Sequence, residues 1–275
     1  MSVSSACCSI SPVVCHKYEA KGEYITLNGL KTYVTGPESA TEAILIIYEN
    51  PKGSCTMKVC LGPPLTLDSS SDIFGFFPQT VQGADILANS SENHKYRVFM
   101  PDFFEGKPAD ISWYPPATKE HAESMNAFFS TQAMPPKTLS RIPGVIEDAN
   151  KTVAEGTSFA KWAIVGHCWG GKIASLSAGK ENNIFKAAVQ CHPAMLDPAD
   201  ATEVSVPMAL LASKDEPVGD VAAYKANLKV PNHVETFSSQ SHGWMAARSN
   251  LSDTHVQKEY ARGYQTVLSF LEQNM

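Results

Sequence analysis

One cysteine lies in a sequence that could make it a nucleophile. Residues 163–172 read Ala-Ile-Val-Gly-His-Cys-Trp-Gly-Gly-Lys, with Cys168 between Gly166 and Gly170. A G-x-C-x-G sequence between a buried strand and a helix is a cysteine version of the nucleophile elbow. This sharp turn strains its central residue and needs small flanking residues. The N-terminus of the following helix favours the thiolate of Cys168. The pattern therefore predicts a reactive thiol; the alternative is a buried structural cysteine in an ordinary turn.

A base and an acid follow the elbow in the chain. In open α/β sheets, ligand sites lie beyond the carboxyl ends of the strands. Cys168 follows one predicted strand, Asp215 follows the next strand but one, and His242 lies in the loop after the last strand. His242 would take the thiol proton, and Asp215 would orient the imidazole and stabilise its charged form. This order of nucleophile, acid and histidine is typical of α/β-hydrolases.

Other histidines and acids compete for these roles. His192 also follows a predicted strand, so we expect it to line the pocket. His167 adjoins the nucleophile and is interpreted as structural. Asp197 and Asp200 are rival acids, but they lie within a loop rather than at a strand tip. The remaining histidines are predicted to be surface or packing residues: His16, His94, His121, His233 and His255.

The elements that must position these residues alternate between strand and helix. Asn28-Gly29 indicates a hairpin between two strands. Short apolar runs predict strands over Glu23–Leu27, Lys31–Val34, Ala43–Tyr48, Tyr96–Met100, Trp162–Val165, Phe185–Gln190, Pro207–Ala212 and His233–Phe237. Helices are predicted over Pro78–Ala88, Thr118–Ser130, Ile142–Gly156, Lys172–Ala178 (its first turn beginning at Gly170), Val218–Leu228 and Thr254–Gln273. This alternation predicts a mostly parallel, doubly wound α/β sheet with helices on both faces.

Composition excludes several classes of protein. The 275 residues are 43% hydrophobic and 18% charged with a net charge of −6, which is ordinary for a soluble globular protein and argues against nucleic-acid or anionic-membrane binding. We expect no membrane span and no signal peptide. Seven cysteines without a disulfide framework favour a reducing, cytoplasmic location. Cys7, Cys8, Cys15 and His16 are interpreted as part of a loosely packed N-terminal segment rather than a zinc site, so we expect no metal.

The predicted domain is interrupted by one unusual segment. Residues 1–20 form an N-terminal segment and residues 21–275 a single domain, in which residues 49–71 show neither strand nor helix periodicity. The segment is long for a βα connection, which usually spans about 2–6 residues. It is either a mobile lid over the active site or a stretch foreign to the functional protein, such as a retained intron would encode. We favour the second alternative.

Several motifs together resemble one enzyme family. They are Asp72-Ile73-Phe74-Gly75, Pro101-Asp102-Phe103-Phe104, Gly166-His167-Cys168-Trp169-Gly170-Gly171, Asp215, and Ser241-His242-Gly243, and the pattern is similar to the dienelactone hydrolase family. The resemblance implies an α/β-hydrolase fold and a cofactor-free hydrolase of small esters, lactones or thioesters. It implies a Cys168–Asp215–His242 triad, a thioester acyl-enzyme, and an oxyanion hole formed by the backbone N–H groups of Ile73 and Trp169. Asp72 corresponds to the family's acidic residue that contacts the nucleophile, a Glu in the founding enzymes.

The expected substrate differs from that of the founding bacterial enzymes of the family, which hold a carboxylate with arginines. Here the corresponding loops offer only Lys107 and Arg248, the latter at a longer spacing from His242. Guanidinium and ammonium groups do not grip a planar carboxylate alike, so dienelactone itself is not expected as the substrate. Trp113, Tyr114, Trp169 and Trp244 indicate a more aromatic pocket. We expect a monomer or a weak homodimer.

Two functions of other classes remain open on the sequence. The chain could be a non-catalytic binding or scaffold protein with an α/β-hydrolase fold, or a redox sensor that acts through Cys168. Folding alone does not require Cys168, Asp215 and His242 at three strand ends, which favours catalysis.

Overall fold

The computed structural model describes most of the chain. The described residues are 13, 18–48, 51–52, 76–90, 94–107, 109–110, 113, 117–154, 156–179 and 184–275. The predicted oxyanion residue Ile73, its neighbour Asp72, Tyr114, the Cys-rich N-terminus and nearly all of the segment 49–71 lie outside these ranges.

Strands and helices alternate along the described ranges. The strands are β1 (Glu23–Leu27), β2 (Leu30–Thr35), β3 (Glu42–Ile47), β4 (Pro51–Lys52), β5 (Tyr96–Pro101), β6 (Ala109–Asp110), β7 (Lys161–His167), β8 (Phe185–Cys191), β9 (Met208–Ser213) and β10 (Asn232–Phe237). The helices are α1 (Pro78–Asn89), α2 (Lys119–Thr131), α3 (Pro135–Leu139), α4 (Ile142–Asn150), α5 (Trp169–Ser177), α6 (Val218–Asn227) and α7 (Thr254–Asn274).

The predicted sheet is confirmed. Within the described ranges, eight strands pair in the order β1-β2-β5-β3-β7-β8-β9-β10. β2 is antiparallel to both β1 and β5, and the other pairs are parallel. The carboxyl ends of β7, β8, β9 and β10 therefore meet along one edge. Candidate residues that follow these strands are brought to that edge.

A separate apolar core covers each face of the sheet. On one face Leu45 of β3 packs in a cluster that includes Ile173 of α5, together with residues of α4 and α6. On the other face Ile44 packs in a cluster that includes Tyr264 of α7 and residues of α1. Residues 43–47 of β3 are completely buried. This burial explains why the strand is a continuous apolar run, as is typical of central parallel strands.

Local turns follow the residues that permit them. Asn28 and Gly29 have φ values of 48° and 73°, the left-handed pair that a two-residue hairpin between β1 and β2 requires. The short helix α3 begins at Pro135-Pro136, because proline is tolerated in the first helical turn. The predicted helix over residues 142–156 ends earlier, at Asn150.

A helix boundary and a strand pairing also differ from the sequence prediction. The helix after Cys168 begins at Trp169, directly after the nucleophile position. The segment 49–71 was predicted to lack strands, yet Pro51–Lys52 pairs in parallel with Ala109–Asp110. Two residues are too few to show as an alternating pattern, so no periodicity could reveal this pairing.

Helix α2 differs from the others in its packing. None of its residues is buried, and its side chains Phe128 and Phe129 are only partly buried against the core. The ring of Phe128 lies 5.3 Å from that of Phe104. Thr118 caps the helix by accepting a hydrogen bond from the backbone N–H of His121 at 3.1 Å. This helix is therefore attached to the domain through few apolar contacts. Across the described ranges, no helix is long and apolar enough to cross a membrane.

Candidate active site

Cys168 occupies the strained turn that the sequence predicts. It follows β7, precedes α5, and has φ 54° and ψ −117°. A Cβ atom at Gly166 would lie 2.0 Å from the carbonyl oxygen of Gly170, and one at Gly170 would lie 2.1 Å from that of Ile47. Both glycines are therefore needed because the backbone approaches closely on each side. Cys168 is partly exposed, so its thiol is in an accessible position.

Backbone hydrogen bonds join Cys168 to the next strand. The N–H of Cys168 donates to the carbonyl of Cys191, the last residue of β8, at 3.1 Å. The carbonyl of Cys168 accepts from the N–H of Gly171 at 3.0 Å and from that of Ala194 at 2.9 Å. The loop after β8 is thereby tied to the elbow. His192 and Met195 of this loop also have positive φ values, 38° and 58°.

His242 is held by two adjacent carboxylates in different ways. Asp215 is exposed, and its Oδ2 accepts a hydrogen bond from the backbone N–H of His242 at 2.8 Å. Glu216 is buried, and its Oε1 lies 2.7 Å from the ring Nδ1 of His242. The sequence predicted the ring contact for Asp215; the structure places Glu216 on the ring and Asp215 on the backbone.

The turn after β9 explains why Glu216 faces inwards. The N–H of Ser213, the last residue of β9, donates to Oε2 of Glu216, while Ser213 Oγ accepts from the N–H of Asp215 at 3.1 Å. These bonds fold the carboxylate of Glu216 back over the strand end. Sequence reasoning missed Glu216 because two consecutive acids follow the strand and residue type does not distinguish them. The signal present was their spacing from the last strand residue.

Three histidine rings form a row behind the elbow. The ring centroids of His242 and His192 are 5.1 Å apart with an interplanar angle of 71°, and those of His192 and His167 are 5.7 Å apart. His167 is fully buried, and its Nε2 lies 3.3 Å from the hydroxyl of Tyr264. Burial lowers the pKa of His167 to about 4. Burial, then the charges of His242, His167 and Arg248, hold the pKa of His192 well below its usual value. His167 and His192 are therefore neutral at pH 7.

The other residues predicted for the site differ in their burial and in their position. Trp169 is buried, with its indole N–H donating to the carbonyl of Ala133 at 2.7 Å. Arg248 is exposed, but its charge acts on His192, so it lies near the site. Lys107 is exposed in the turn after β5, where its backbone N–H donates to the carbonyl of Phe104 at 2.9 Å. Asp72 and Ile73 lie outside the described residues.

The rival acids lie in ion pairs, and two of the aromatic residues lie in the apolar cores. Asp200 is paired with Lys172 of α5 at 2.6 Å, and Asp197 lies 3.8 Å from the same ammonium group. Trp169 and Trp244 belong to the two apolar cores rather than to an open pocket; Trp244 packs 4.4 Å from the Phe237 ring. The predicted aromatic pocket is therefore not formed by these two residues.

A metal site finds no support where side chains are described. In those ranges, no group of three or more His, Cys, Asp or Glu side chains could hold a metal ion. The Cys7, Cys8, Cys15 and His16 cluster lies outside them.

Comparison with known proteins identifies the family. The dienelactone hydrolase family profile matches residues 71–275, which is most of the chain. The chain belongs to the dienelactone hydrolase family. The resemblance seen in the sequence motifs is thereby confirmed, and the protein is a hydrolase.

Relatives extend over nearly the whole chain. An uncharacterized AIM2 family protein of Schizosaccharomyces pombe is 32% identical over 262 residues, covering 93% of this chain and 93% of its own. The human carboxymethylenebutenolidase homolog is 25% identical over 239 residues, covering 83% and 81%.

Solved structures share the fold at low identity. A dienelactone hydrolase of Anabaena variabilis has a TM-score of 0.52 at 15% identity, covering 87% of this chain and 94% of its own. The Butyrivibrio proteoclasticus protein Est1E, solved with ferulic acid, has a TM-score of 0.55 at 14% identity, covering 92% and 98%. These likenesses confirm the predicted α/β-hydrolase fold.

Proposed function

We propose that this protein hydrolyses a small carboxylic ester, lactone or thioester through a covalent thioester on Cys168. The observation that carries the proposal is the buried hydrogen bond between Glu216 and His242, at the same sheet edge as the strained Cys168 turn. A buried carboxylate–imidazole pair at the same sheet edge as a partly exposed, strained cysteine is the arrangement that nucleophilic catalysis needs.

The tautomer of His242 follows from its partner. An ionised carboxylate only accepts hydrogen bonds, so Nδ1 of His242 carries a proton that it donates to Glu216. Nε2 then carries the lone pair that removes the proton from the Cys168 thiol. When the imidazolium forms, the Glu216 carboxylate stabilises it at a distance of 2.7 Å. Asp215 fixes the backbone of His242 and so sets the position from which the ring reaches the site.

The reaction proceeds in two halves. The Cys168 thiolate attacks the substrate carbonyl carbon, and the alcohol leaves with the proton that His242 has taken. Water then attacks the thioester, His242 removes its proton, and the Cys168 thiolate departs. The backbone N–H groups of Trp169 and Ile73 are proposed to hold the oxyanion, as the family resemblance implies; loss of one such donor costs about 10²–10³ in rate.

Three charged residues named from the sequence suggest how a substrate is chosen. Lys107, Arg248 and Asp72 are proposed to contact substrate, with Arg248 favoured because its charge acts on His192. A single exposed arginine suits a small acyl group with at most one negative charge.

Turnover of p-nitrophenyl acetate by the wild type, Cys168→Ser and His242→Ala tests the proposal. We expect hydrolysis by the wild type and its loss in both variants, while melting temperatures stay close to that of the wild type. Mass spectrometry of the wild type should show an acetyl group on Cys168. Absence of turnover and of acylation in the wild type would favour a scaffold role, and selective peroxide oxidation of Cys168 without turnover would favour a redox sensor.

A further inference from the structure

We propose that His192 holds the water molecule that hydrolyses the acyl-enzyme, next to His242. The inference rests on the proposed function and deepens it, because it assigns a second histidine to the deacylation half of the reaction.

Two features of His192, one of its side chain and one of its backbone, are energetically unfavourable. The side chain is completely buried, and neither ring nitrogen has a hydrogen-bond partner on another described residue, while a hydrogen bond to its own backbone acts to raise its pKa. Its backbone is also in the left-handed region, with φ 38°. An unsatisfied buried polar group costs about 1–3 kcal/mol, and a left-handed conformation at a non-glycine residue adds to that. Leucine or phenylalanine would fill the same space without the first cost. The imidazole is therefore suited to a ligand that bonds to its nitrogen atoms.

The backbone holds this ring in the site. The N–H of His192 donates to the carbonyl of Leu211 in β9 at 2.7 Å, and two residues later Ala194 donates to the carbonyl of Cys168 at 2.9 Å. The loop is thus attached both to the neighbouring strand and to the nucleophile residue. Its ring lies edge-to-face with His242, with centroids 5.1 Å apart.

The charges around His192 indicate what kind of ligand fits. His242 with its partner Glu216 lies on one side, His167 on the other, and Arg248 is close enough to act on the ring. Burial and these neighbours lower the pKa of His192, so the ring stays neutral. A neutral imidazole offers one N–H donor and one lone pair. A water molecule can donate to the lone pair or accept from the N–H, and a buried water needs two to four polar partners, of which one ring nitrogen of His192 and Nε2 of His242 supply two.

The chemical step balances without any other reactant. Water, hydrogen-bonded to His192, gives its proton to Nε2 of His242 as its oxygen attacks the thioester carbonyl. A C–O bond forms, the C–S bond breaks, and the Cys168 thiolate leaves as the carboxylic acid is released. The thiolate and the imidazolium then exchange the proton, which restores the starting state.

Burst kinetics separate the two halves of the reaction. With p-nitrophenyl acetate, the rapid release of p-nitrophenol reports acylation and the following steady rate reports deacylation. For His192→Phe, which keeps the ring volume but has no nitrogen, we expect acylation within about threefold of the wild type. Deacylation should slow roughly tenfold, the effect of one lost hydrogen bond. Acetyl-Cys168 should accumulate in the intact mass spectrum, and added hydroxylamine should restore turnover because it replaces water as the nucleophile.

Two further variants keep the test decisive. His192→Asn retains hydrogen-bonding groups and tolerates positive φ, so it should recover part of the deacylation rate. His167→Phe removes an equally buried imidazole that lies one ring further from His242 and should leave both phases near the wild-type values.

The outcomes are distinguishable. If the wild type forms an acyl-enzyme and His192→Phe hydrolyses it at the wild-type rate, the inference is wrong while the proposed function stands. Equal slowing of deacylation in His167→Phe would also overturn it, because the effect would then be general to the buried row. If His192→Phe does not fold, His192→Ala takes its place. Slowed acylation with an unchanged deacylation rate in His192→Ala would then refute the inference. A wild type that forms no acyl-enzyme would refute the proposed function itself.

Discussion

Glu216→Gln and Asp215→Asn test which of the two adjacent acids acts on the imidazole. Each substitution removes one charge and keeps the side-chain shape. Glu216 touches ring Nδ1 of His242, whereas Asp215 touches its backbone N–H. The amide oxygen of a glutamine can still accept the hydrogen bond from Ser213, so we expect Glu216→Gln to fold.

The size of the effect follows from the geometry. The His242 and Glu216 side chains are 9% and 3% exposed, so the pair is largely removed from water. Two unit charges about 4 Å apart attract by about 4 kcal/mol at an effective dielectric constant of about 20. Loss of this attraction for the imidazolium corresponds to about 10³ in kcat/KM, since about 1.4 kcal/mol is a factor of ten. For Asp215→Asn, one partly buried hydrogen bond to the backbone of His242, worth about 1 kcal/mol, is affected, which predicts a loss of about tenfold or less.

The assay is kcat/KM for p-nitrophenyl acetate together with the midpoint of urea unfolding for each variant. We expect Glu216→Gln to lose activity far more than stability. A larger loss of activity in Asp215→Asn than in Glu216→Gln, with both variants folded, would refute the reasoning and restore Asp215 to the role that the sequence indicated.

Three other expectations can be measured directly. Gly170→Ala should yield little soluble protein or a much lower melting temperature, because the new Cβ would lie 2.1 Å from the carbonyl oxygen of Ile47 in β3. The control Gly219→Ala should keep the wild-type melting temperature, because no atom lies within 4 Å of its new Cβ. Equal melting temperatures of the two variants would contradict this reasoning. Iodoacetamide mapped by mass spectrometry should label Cys168 and abolish activity while sparing the buried Cys191, whose thiol pKa burial raises; similar labelling of both would argue against it. The free energy of unfolding should fall as the pH drops from about 6.5 to 4. In this range His167 binds a proton in the unfolded chain but not in the native protein, where its pKa is about 4. The urea midpoint of His167→Phe should therefore depend less steeply on pH.

The fold was predictable where local pattern and tertiary environment agree. The continuous apolar run of β3 matches burial on both faces, and Asn28-Gly29 matches a turn that needs two positive φ values. The start of α5 at Trp169 was less predictable, because helix bounds depend on the elbow's own hydrogen bonds.

The candidate site was predictable to the level of the strand end but not of the individual side chain. The glycines on either side of Cys168 predict a tight turn. The structure agrees, because a Cβ atom at Gly166 or Gly170 would clash with a backbone carbonyl oxygen. The distinction between Asp215 and Glu216 depends on how the chain turns after Ser213, which involves hydrogen bonds that no periodicity reports. The burial of His192 likewise arises from residues distant in sequence, so its unusual state is visible only once the strands are assembled.

The loose attachment of α2 has a consequence for how the molecule admits a substrate. Phe128 of α2 contacts Phe104, whose ring lies 5.0 Å from that of Trp169, the residue after the nucleophile. Elements with few buried contacts open locally at low free-energy cost, whereas central strands open only with the whole domain. We therefore expect α2 to open locally at a lower free-energy cost than the central strands, which would make space beside Trp169. Cys168 follows the central strand β7, and His242 is held by the carboxylates that follow β9, so we expect both residues to stay in place when α2 opens.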